Sequence, residues 1–581
     1  MRGSKQLQRS PFWTLVGHFV NRLLAGEEDN ESGFSFGLGA ILAMLASPGA
    51  FATIFLLDKY STLIQWFRHQ HVDAYKISVS DEYFFIVLSM TITGLVMLLR
   101  WNRLFPDRRD FANLAVLPIP IRNIFIANFL ALFGLASLFA VDVNGFSAFF
   151  FPFLVTISDG QGGSFAKLWL MLRSHAATVF LASLFSFFAV FGIVGLLLLV
   201  VPRRWFPAAS LAVRILLVVT LLAEFFANIL LHLLGGRIGS DAAFAQLLPS
   251  FWFLGIYREM AHLGGPNTVV LADRALFATT AAVFISIGAY ALCYRQRFVR
   301  LAESLDQLGG SRHVRRVPLP SALIRLLFPS SFDRACGSFL VKGLLRSERH
   351  VMFLGGYLGL GFIMTAETAL DAFGSPHANA SLNPYVLAIP LMIAFFVISG
   401  IRLVLNTPAA LNANWVFRSI LDQSVSNGHS SANPRRPVRV VMLLCTIPWQ
   451  IAVVLPLTQA QYGWRIAVIH TVVVMTVSIT LIEGSLARFR KIPFTCSNLP
   501  DIRSLIMHIL AAVLTVIIGV PTLAGIEAGI IEHPERTPFG VLLLGIAWYW
   551  IYRQRAENAY ARESIVFEDV AAPDFELLKL V

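Results

Sequence analysis

Apolar runs of about 20 residues recur along almost the whole chain, and no other feature constrains the fold as strongly. A helix of that length is what a chain needs to cross the hydrocarbon core of a bilayer. Only 14% of the 581 residues are charged and mean hydropathy is +0.68, whereas soluble domains carry roughly 25% charged residues. We therefore predict an all-α polytopic membrane protein. The composition excludes a soluble enzyme, a disordered chain and a disulfide scaffold.

The hydropathy pattern predicts twelve transmembrane spans. They cover about 34–57, 83–100, 122–141, 176–201, 208–233, 275–294, 351–370, 384–404, 438–457, 465–485, 504–525 and 539–553. The Phe-rich residues 145–155 are a candidate for an extra half-span. Each prediction follows from length and apolar content alone.

The basic residues predict the orientation of these spans. With the N-terminus in the cytosol, the inside segments carry 36 of the 46 Lys and Arg residues. Cytosolic loops concentrate Lys and Arg, so this asymmetry favours both termini inside. The membrane we expect is a bacterial inner (plasma) membrane. The net charge of +12 is explained in the same way, and we expect no nucleic-acid partner.

The longest polar stretch divides the predicted spans into two halves of six. Phe19–Leu24 before the first span faintly resembles Leu340–Leu345 before the seventh, which is where a duplication would place it. An even number of spans per half predicts a parallel repeat. The predicted organisation is a cytosolic N-terminus with an amphipathic helix (1–33), a first half (34–294), a basic linker with a second amphipathic helix (295–350), a second half (351–553) and a cytosolic tail (554–581).

The segment after the second predicted span, residues 101–121, is the most distinctive in the chain. Asp107 follows Pro106 and suits a helix N-cap region. Apolar residues then recur on one helical face until a proline ends the pattern, at Phe111, Leu114, Leu117 and Pro118. The spacing predicts a short amphipathic helix at the cytosolic surface, which either caps the bundle or presses its apolar face into a partner.

Arg109-Asp110, Leu114, Leu117-Pro118-Ile119 and Ile124-Phe125 make this segment resemble the first cytosolic loop of ABC exporter permeases. The resemblance implies a coupling helix that docks in a cleft of an ATPase subunit. It also makes 10–24 and 334–348 similar to that family's elbow helices. In this interpretation four charged residues orient the loop: Asp107, Arg108, Arg109 and Asp110. Three apolar residues are buried in the partner: Phe111, Leu114 and Leu117. The corresponding loop of the second half, 406–418, lacks both the Arg-Asp and the Leu-Pro-Ile features.

ATP chemistry is expected on a separate chain. No Walker A pattern, G-x-x-x-x-G-K-[ST], occurs in the sequence. We therefore expect no cofactor on this chain, ATP and Mg on a partner P-loop ATPase, and no enzyme activity of its own.

Three polar residues share one face of the fifth predicted span at a spacing of four, Glu224, Asn228 and His232. Ionisable groups inside a span are costly and usually face a bundle interior or water. The three residues are a candidate substrate path or proton relay. The alternative is that they join helices by hydrogen bonds.

Two outer loops hold weaker signals. Loop 234–274 contains a semi-apolar stretch, 247–257, that predicts either a re-entrant hairpin of the exporter type or an ordinary amphipathic outer helix. His69, His71 and Asp73 have ligand-type side chains at short spacing, but a solvated loop explains them better. His470 and His508 are expected to pack within spans.

The favoured interpretation is the membrane-spanning permease subunit of an ATP-driven exporter, which contacts membrane lipid and couples to its ATPase through residues 101–121. The first alternative is an ion-coupled secondary transporter of the major-facilitator layout, which has the same span count and both termini inside. The second is a membrane-embedded transferase with its active groups on loops 58–82 or 234–274.

Overall fold

The structure is a computed structural model. It describes residues 11–24, 38–67, 74–101, 104–105, 119–158, 164–202, 204–233, 247–293, 325–328, 330–374, 382–407, 414–426, 434–487, 489–495, 511–512 and 514–560. The chain forms two compact units, Met1–Ser311 and Arg312–Val581. Each unit is considered by itself.

The described part of the first unit is built of α-helices. In chain order they are α1 (Pro11–Leu24), α2 (Leu38–Phe67), α3 (Ala74–Ile77), α4 (Val79–Leu99), α5 (Ile121–Ser158), α6 (Phe165–Val200), α7 (Phe206–Leu233), α8 (Pro249–Met260) and α9 (Pro266–Cys293).

Local sequence explains where several of these helices begin. The Ser164 side chain accepts a hydrogen bond from the Ala166 amide at 3.3 Å and caps α6. Proline is the first residue of both α8 and α9, where its missing amide proton costs no helical hydrogen bond. Long apolar stretches then keep each helix continuous.

Helix α5 corrects the expected extra half-span at 145–155. Those residues lie within α5, which is continuous over 38 residues from Ile121 to Ser158 despite the internal Pro152. At 1.5 Å per residue its length is about 57 Å, well beyond one bilayer core. A separate half-span at 145–155 was therefore a wrong prediction.

Two apolar clusters form the core of the first unit. One joins α1 and the start of α5 to the ends of α4, α6 and α9, and it includes Phe19, Leu104 and Phe191. The other joins α2 and the start of α4 to α8, and it includes Phe85 and Phe251. Helix α1 contributes one buried face of residues spaced by four, Leu15, Phe19 and Leu23, as an amphipathic helix should.

The described part of the second unit is also helical. It contains α10 (Ser331–Arg346), α11 (Glu348–Gly374), α12 (Pro384–Leu405), α13 (Asn414–Ser426), α14 (Arg435–Trp449), α15 (Leu455–Tyr462), α16 (Trp464–Ser485), α17 (Val520–Glu532) and α18 (Thr537–Tyr560). Wide π-turns at Gln450–Val454 and Thr515–Gly519 precede α15 and α17. Prolines at 448, 456 and 521 lie in or beside these turns and lack the amide proton that a regular turn would use.

Ten helices in the described part of the chain are long and apolar enough to cross a membrane. They correspond to the predicted spans except the first and the last, in which α2 and α18 lie. Large apolar side chains are exposed along these helices, for example Phe277 and Phe284 on α9, as expected where lipid rather than water is the solvent. The protein is an all-α, polytopic integral membrane protein, whereas the count of twelve stays a prediction.

Candidate functional site

The predicted coupling residues lie outside the described residues. These are Asp107, Arg108, Arg109, Asp110, Phe111, Leu114, Leu117 and Pro118. Both ends of segment 101–121 are described, however, and they define how this loop is attached to the first unit. We call Trp101, Leu104 and Phe105 the loop root.

Trp101 fixes the first end of the loop to α7. Its indole Nε1 donates a hydrogen bond of 2.7 Å to Ser210 Oγ, and both side chains are buried. The guanidinium of Arg214, also on α7, lies 5.9 Å from the centre of the Trp101 ring. A buried indole that satisfies its N–H in this way is held in one orientation.

Leu104 and Phe105 fix the loop root to α5, α6 and α9. Asn128 on α5 is fully buried, and its Nδ2 donates to the Leu104 carbonyl at 3.1 Å and to Tyr290 Oη at 3.2 Å. The Phe105 ring stacks on Phe191 of α6, with 5.3 Å between centroids and 15° between planes. It also lies 5.3 Å from the ring of Tyr290 on α9. The loop root is therefore in direct contact with four helices when α7 is included.

Glu224 binds the start of α8. It is buried on α7, and its Oε1 accepts a hydrogen bond of 3.2 Å from the amide of Ser250, the second residue of α8. A carboxylate at a helix N-terminus satisfies an amide that has no helical partner. The Ser250 hydroxyl donates to Tyr83 Oη at 2.9 Å. These contacts match the helix-joining alternative. The backbones of Asn228 and His232 lie on α7, but their side chains are outside the described part.

Helix α8 occupies the semi-apolar stretch predicted in loop 234–274. Seven of its twelve residues are buried, including Phe251, Phe253 and Tyr257. Gly255 approaches α9 so closely that a Cβ there would lie 2.7 Å from Leu271 Cβ and 2.8 Å from the Thr268 carbonyl oxygen. This burial shows that α8 packs tightly within the first unit, whereas the choice between a re-entrant hairpin and an amphipathic outer helix stays a prediction.

Two ion pairs with buried carboxylates tie α8 and α2 to the first turn of α4. Arg258 Nε lies 2.9 Å from Glu82 Oε2, and Lys59 Nζ lies 2.7 Å from Asp81 Oδ2. The Tyr60 hydroxyl donates to the same Asp81 oxygen at 2.8 Å. Both carboxylates also lie at the positive end of the α4 dipole. They position helices and present no exposed reactive group.

The second unit contains a cavity of about 800 Å³. Its walls come from α11, α12, α16 and α18 together with residues 511–515, and most of the described side chains that face it are apolar. This volume lies within the range of small-molecule sites, about 300–1,000 Å³. The cavity can hold a ligand with a large apolar part.

One end of the cavity is polar. Arg402 on α12 donates from Nε to the Ser485 carbonyl at 3.0 Å and from Nη1 to Asn406 Oδ1 at 2.8 Å. Its guanidinium also lies 4.9 Å from the centre of the Phe489 ring. These contacts hold the guanidinium in a fixed position.

Glu483 joins three helices beside the cavity. Its Oε1 lies 2.8 Å from Arg439 Nε on α14, and its Oε2 binds Arg555 on α18. The Trp548 indole of α18 donates to Thr480 Oγ1 of α16 at 3.1 Å. Helix α18, which forms one wall of the cavity, is therefore bonded to α16 by two contacts, Arg555–Glu483 and Trp548–Thr480.

His470 is paired rather than merely packed. Its Nδ1 lies 2.7 Å from Glu527 Oε1, and both side chains are buried between α16 and α17. Glu527 Oε2 has no hydrogen-bond partner in the described part of the chain. Burying an ionisable pair inside a membrane-spanning segment costs free energy, and such pairs usually mark functional sites.

Among the described residues no group of three His, Cys, Asp or Glu side chains is placed to hold a metal ion. His69, His71, Asp73 and His508 lie outside them. The described part of the chain therefore contains no arrangement that we assign to metal chemistry.

Comparison with known proteins identifies no relative. Neither family models, nor curated proteins, nor solved structures match this chain.

Sequence reasoning missed the residues that matter most in the second unit. Glu527 follows the predicted end of its span at 525, whereas α17 continues to Glu532. Arg402 lies inside the predicted span 384–404, but its position in the wall of a cavity was not predicted. In both cases the sequence does contain a signal, a lone charged residue within one helical turn of the predicted end of a span.

Proposed function

We propose that the chain is the membrane-spanning permease subunit of an ATP-driven transporter and that it couples to a separate ATPase through residues 101–121. The observation that supports this most is the attachment of the loop root. A segment that receives force from a partner must be joined rigidly to the elements it moves. Trp101, Leu104 and Phe105 contact α5, α6, α7 and α9 through hydrogen bonds and ring stacking.

The sequence of the loop supports an ATPase as the partner. Its pattern of Arg109-Asp110 followed by Leu117-Pro118-Ile119 resembles the coupling loop of exporter permeases. The chain has no Walker A pattern, so ATP binding of that kind belongs to another subunit. The cavity of the second unit supplies a site for the transported molecule.

Native purification in mild detergent, with mass spectrometry of the bound proteins, tests the proposal. A P-loop ATPase should co-purify with the wild-type chain and be lost in Arg109→Glu. Arg204→Glu is the matched control, because it makes the same charge change at an exposed residue in another predicted cytosolic segment. Absence of any ATPase at low salt, or equal loss in both variants, would count against the coupling role.

The buried His470–Glu527 pair favours a second candidate, an ion-coupled secondary transporter. Proton movement across a membrane uses such intramembrane groups. In this alternative Glu527→Gln abolishes transport driven by a pH gradient in vesicles that contain the chain alone. Under the permease proposal the chain alone transports nothing in that assay, with or without the substitution.

A further inference from the structure

We propose that the first unit binds a water molecule inside its helix bundle, where the water bridges the imidazole of His175 and the hydroxyl of Thr178 on α6. The proposal goes beyond the function proposed above and does not rest on it, because it concerns the interior of the first unit alone. Binding of this water can be measured on the full chain without a partner or a substrate.

His175 is a buried imidazole that the protein itself leaves without a hydrogen bond. Its side chain is fully buried, and neither Nδ1 nor Nε2 has a hydrogen-bond partner in the described part of the chain. A neutral imidazole carries one N–H donor and one acceptor nitrogen. Burying both of them unpaired costs free energy, so such a group in a folded protein calls for a partner.

Three aromatic rings surround the imidazole, and they cannot satisfy both of its nitrogens. The ring centroids of Phe85 on α4, Phe151 on α5 and Tyr257 on α8 lie 5.6, 5.0 and 5.9 Å from that of His175. An aromatic face can accept an N–H weakly, but it has no proton to donate to the acceptor nitrogen. The site therefore needs a small molecule with a proton to donate.

Thr178 supplies the second contact for the same molecule. It lies three positions after His175, so the two side chains share one face of α6 with about 5–6 Å between their Cβ atoms. Its hydroxyl is buried and also has no partner among the described residues, whereas the buried Thr156 hydroxyl on α5 donates to the Pro152 carbonyl at 2.8 Å. One water can bridge such a pair, because it both donates and accepts hydrogen bonds.

Water fits these surroundings better than an ion does. The rings that contact the imidazole are apolar or phenolic, and Glu82, three positions before Phe85 on α4, is bound by Arg258 at 2.9 Å. A metal cation would find one neutral nitrogen and one hydroxyl, fewer ligands than it requires. An ion would also lose its hydration in a site with apolar walls. Water carries no charge and bonds to both groups.

The bound water extends a polar seam between α4 and α6. Further along α6 the Ser183 hydroxyl bonds to that of Ser89 on α4, and Asn144 Nδ2 on α5 donates to Ser89 Oγ at 2.9 Å. Ser186 then donates to the Met90 carbonyl at 2.9 Å. From position 175 to position 186 these groups follow one another over about 16 Å of helix. The water therefore continues an existing series of hydrogen-bonding groups.

X-ray radiolytic footprinting of the full chain in phosphatidylcholine nanodiscs tests the proposal. Radiolysis converts a bound water into a hydroxyl radical that oxidises the side chains beside it, and mass spectrometry locates the products. We expect oxidation of Tyr257, which contacts His175, and of Met171, to whose sulfur Tyr257 Oη donates at 3.6 Å, although both are buried. Met442 is the internal control: it is equally buried but lies in an apolar cluster of the second unit, and it should stay unoxidised.

Variants at the two polar side chains identify the water site. In His175→Phe/Thr178→Val the oxidation of Met171 and Tyr257 should fall to the level of Met442. Thr156→Val is the matched control, because its hydroxyl is already bonded to a carbonyl, and it should leave the oxidation unchanged. Thr178→Val alone should lower the melting temperature, since it removes a hydrogen bond to the water, whereas loss of an unpaired hydroxyl would raise it.

A folded wild-type chain in which Met171 and Tyr257 stay as unoxidised as Met442 would overturn the proposal, and this measurement needs no variant. Oxidation that persists in the double variant would place the source of the radical elsewhere and would also overturn it. An equal or higher melting temperature of Thr178→Val would show that the hydroxyl binds no water. These outcomes are independent of the ATPase experiment, so failure of either proposal is recognised separately.

Discussion

Asn128 gives the sharpest structural prediction for the loop root. Its Nδ2 binds both the Leu104 carbonyl and Tyr290 Oη, so Asn128→Leu removes both bonds while it keeps the number and branching of the side-chain heavy atoms. Tyr290 keeps its own hydrogen bond to the Phe125 carbonyl at 2.9 Å. The Leu104 carbonyl and Tyr290 Oη therefore both lose the Asn128 donor, but Tyr290 retains a hydrogen bond.

The expected cost follows from those two bonds. A buried hydrogen bond contributes about 0.5–1.5 kcal/mol net, and side-chain bonds between membrane helices average about 0.6 kcal/mol. Two bonds therefore amount to about 1–2 kcal/mol, which changes the population of a locally opened state about 5- to 30-fold. The opening should be confined to the loop root and the start of α5.

Hydrogen–deuterium exchange with mass spectrometry measures this opening. Peptides that end at Phe105 should exchange about 5- to 30-fold faster in Asn128→Leu than in wild type. Asn144→Leu is the control: it removes a buried Asn of the same helix that binds Ser89 Oγ at 2.9 Å, far from the loop root in sequence. Unchanged exchange in Asn128→Leu, or equal acceleration in both variants, would refute the reasoning.

Two further predictions concern packing and burial. Gly255→Ala should lower the stability of the chain by about 1–3 kcal/mol, because the added Cβ forces α8 and α9 apart. Gly288→Ala is the control, because a Cβ at Gly288 meets no atom within 4 Å and should leave stability unchanged. Thermal melts of the two variants test this, and equal melting temperatures would contradict the close packing. Burial, and secondarily the charge of Asp333, raises the pKa of the Cys336 thiol to about 12. Since the thiolate is the form that is alkylated, iodoacetamide at pH 8 should leave Cys336 unmodified until the chain is denatured, and rapid labelling of the folded chain would show that the thiol is accessible.

The sequence predicted the helices far better than the contacts between them. Hydropathy located α4, α6 and α16 within a few residues at their C-terminal ends, because a bilayer sets a minimum apolar length. It did not join 145–155 to α5, since apolar content alone does not tell one long helix from two short ones.

The ion pairs show why the candidate sites were less accessible to sequence reasoning. Glu82 and Arg258 lie 176 positions apart and were assigned to two separate outer loops. Only the burial of α8 against α4 brings them together. The position of Glu224 inside a predicted span indicated a residue facing the bundle interior, and Glu224 is buried. Its partner, the Ser250 amide, belongs to α8, and the sequence pattern of α8 does not show which helices it packs against.

The central claim, a separate ATPase on segment 101–121, is tested most directly by photo-crosslinking in cells that express the native chain. A benzoylphenylalanine is introduced at Phe111 and, as a control, at Leu216, an exposed residue of α7. We expect a P-loop ATPase in the adduct formed from position 111 and none from position 216. Adducts from position 111 that contain only lipid or other proteins would contradict the claim.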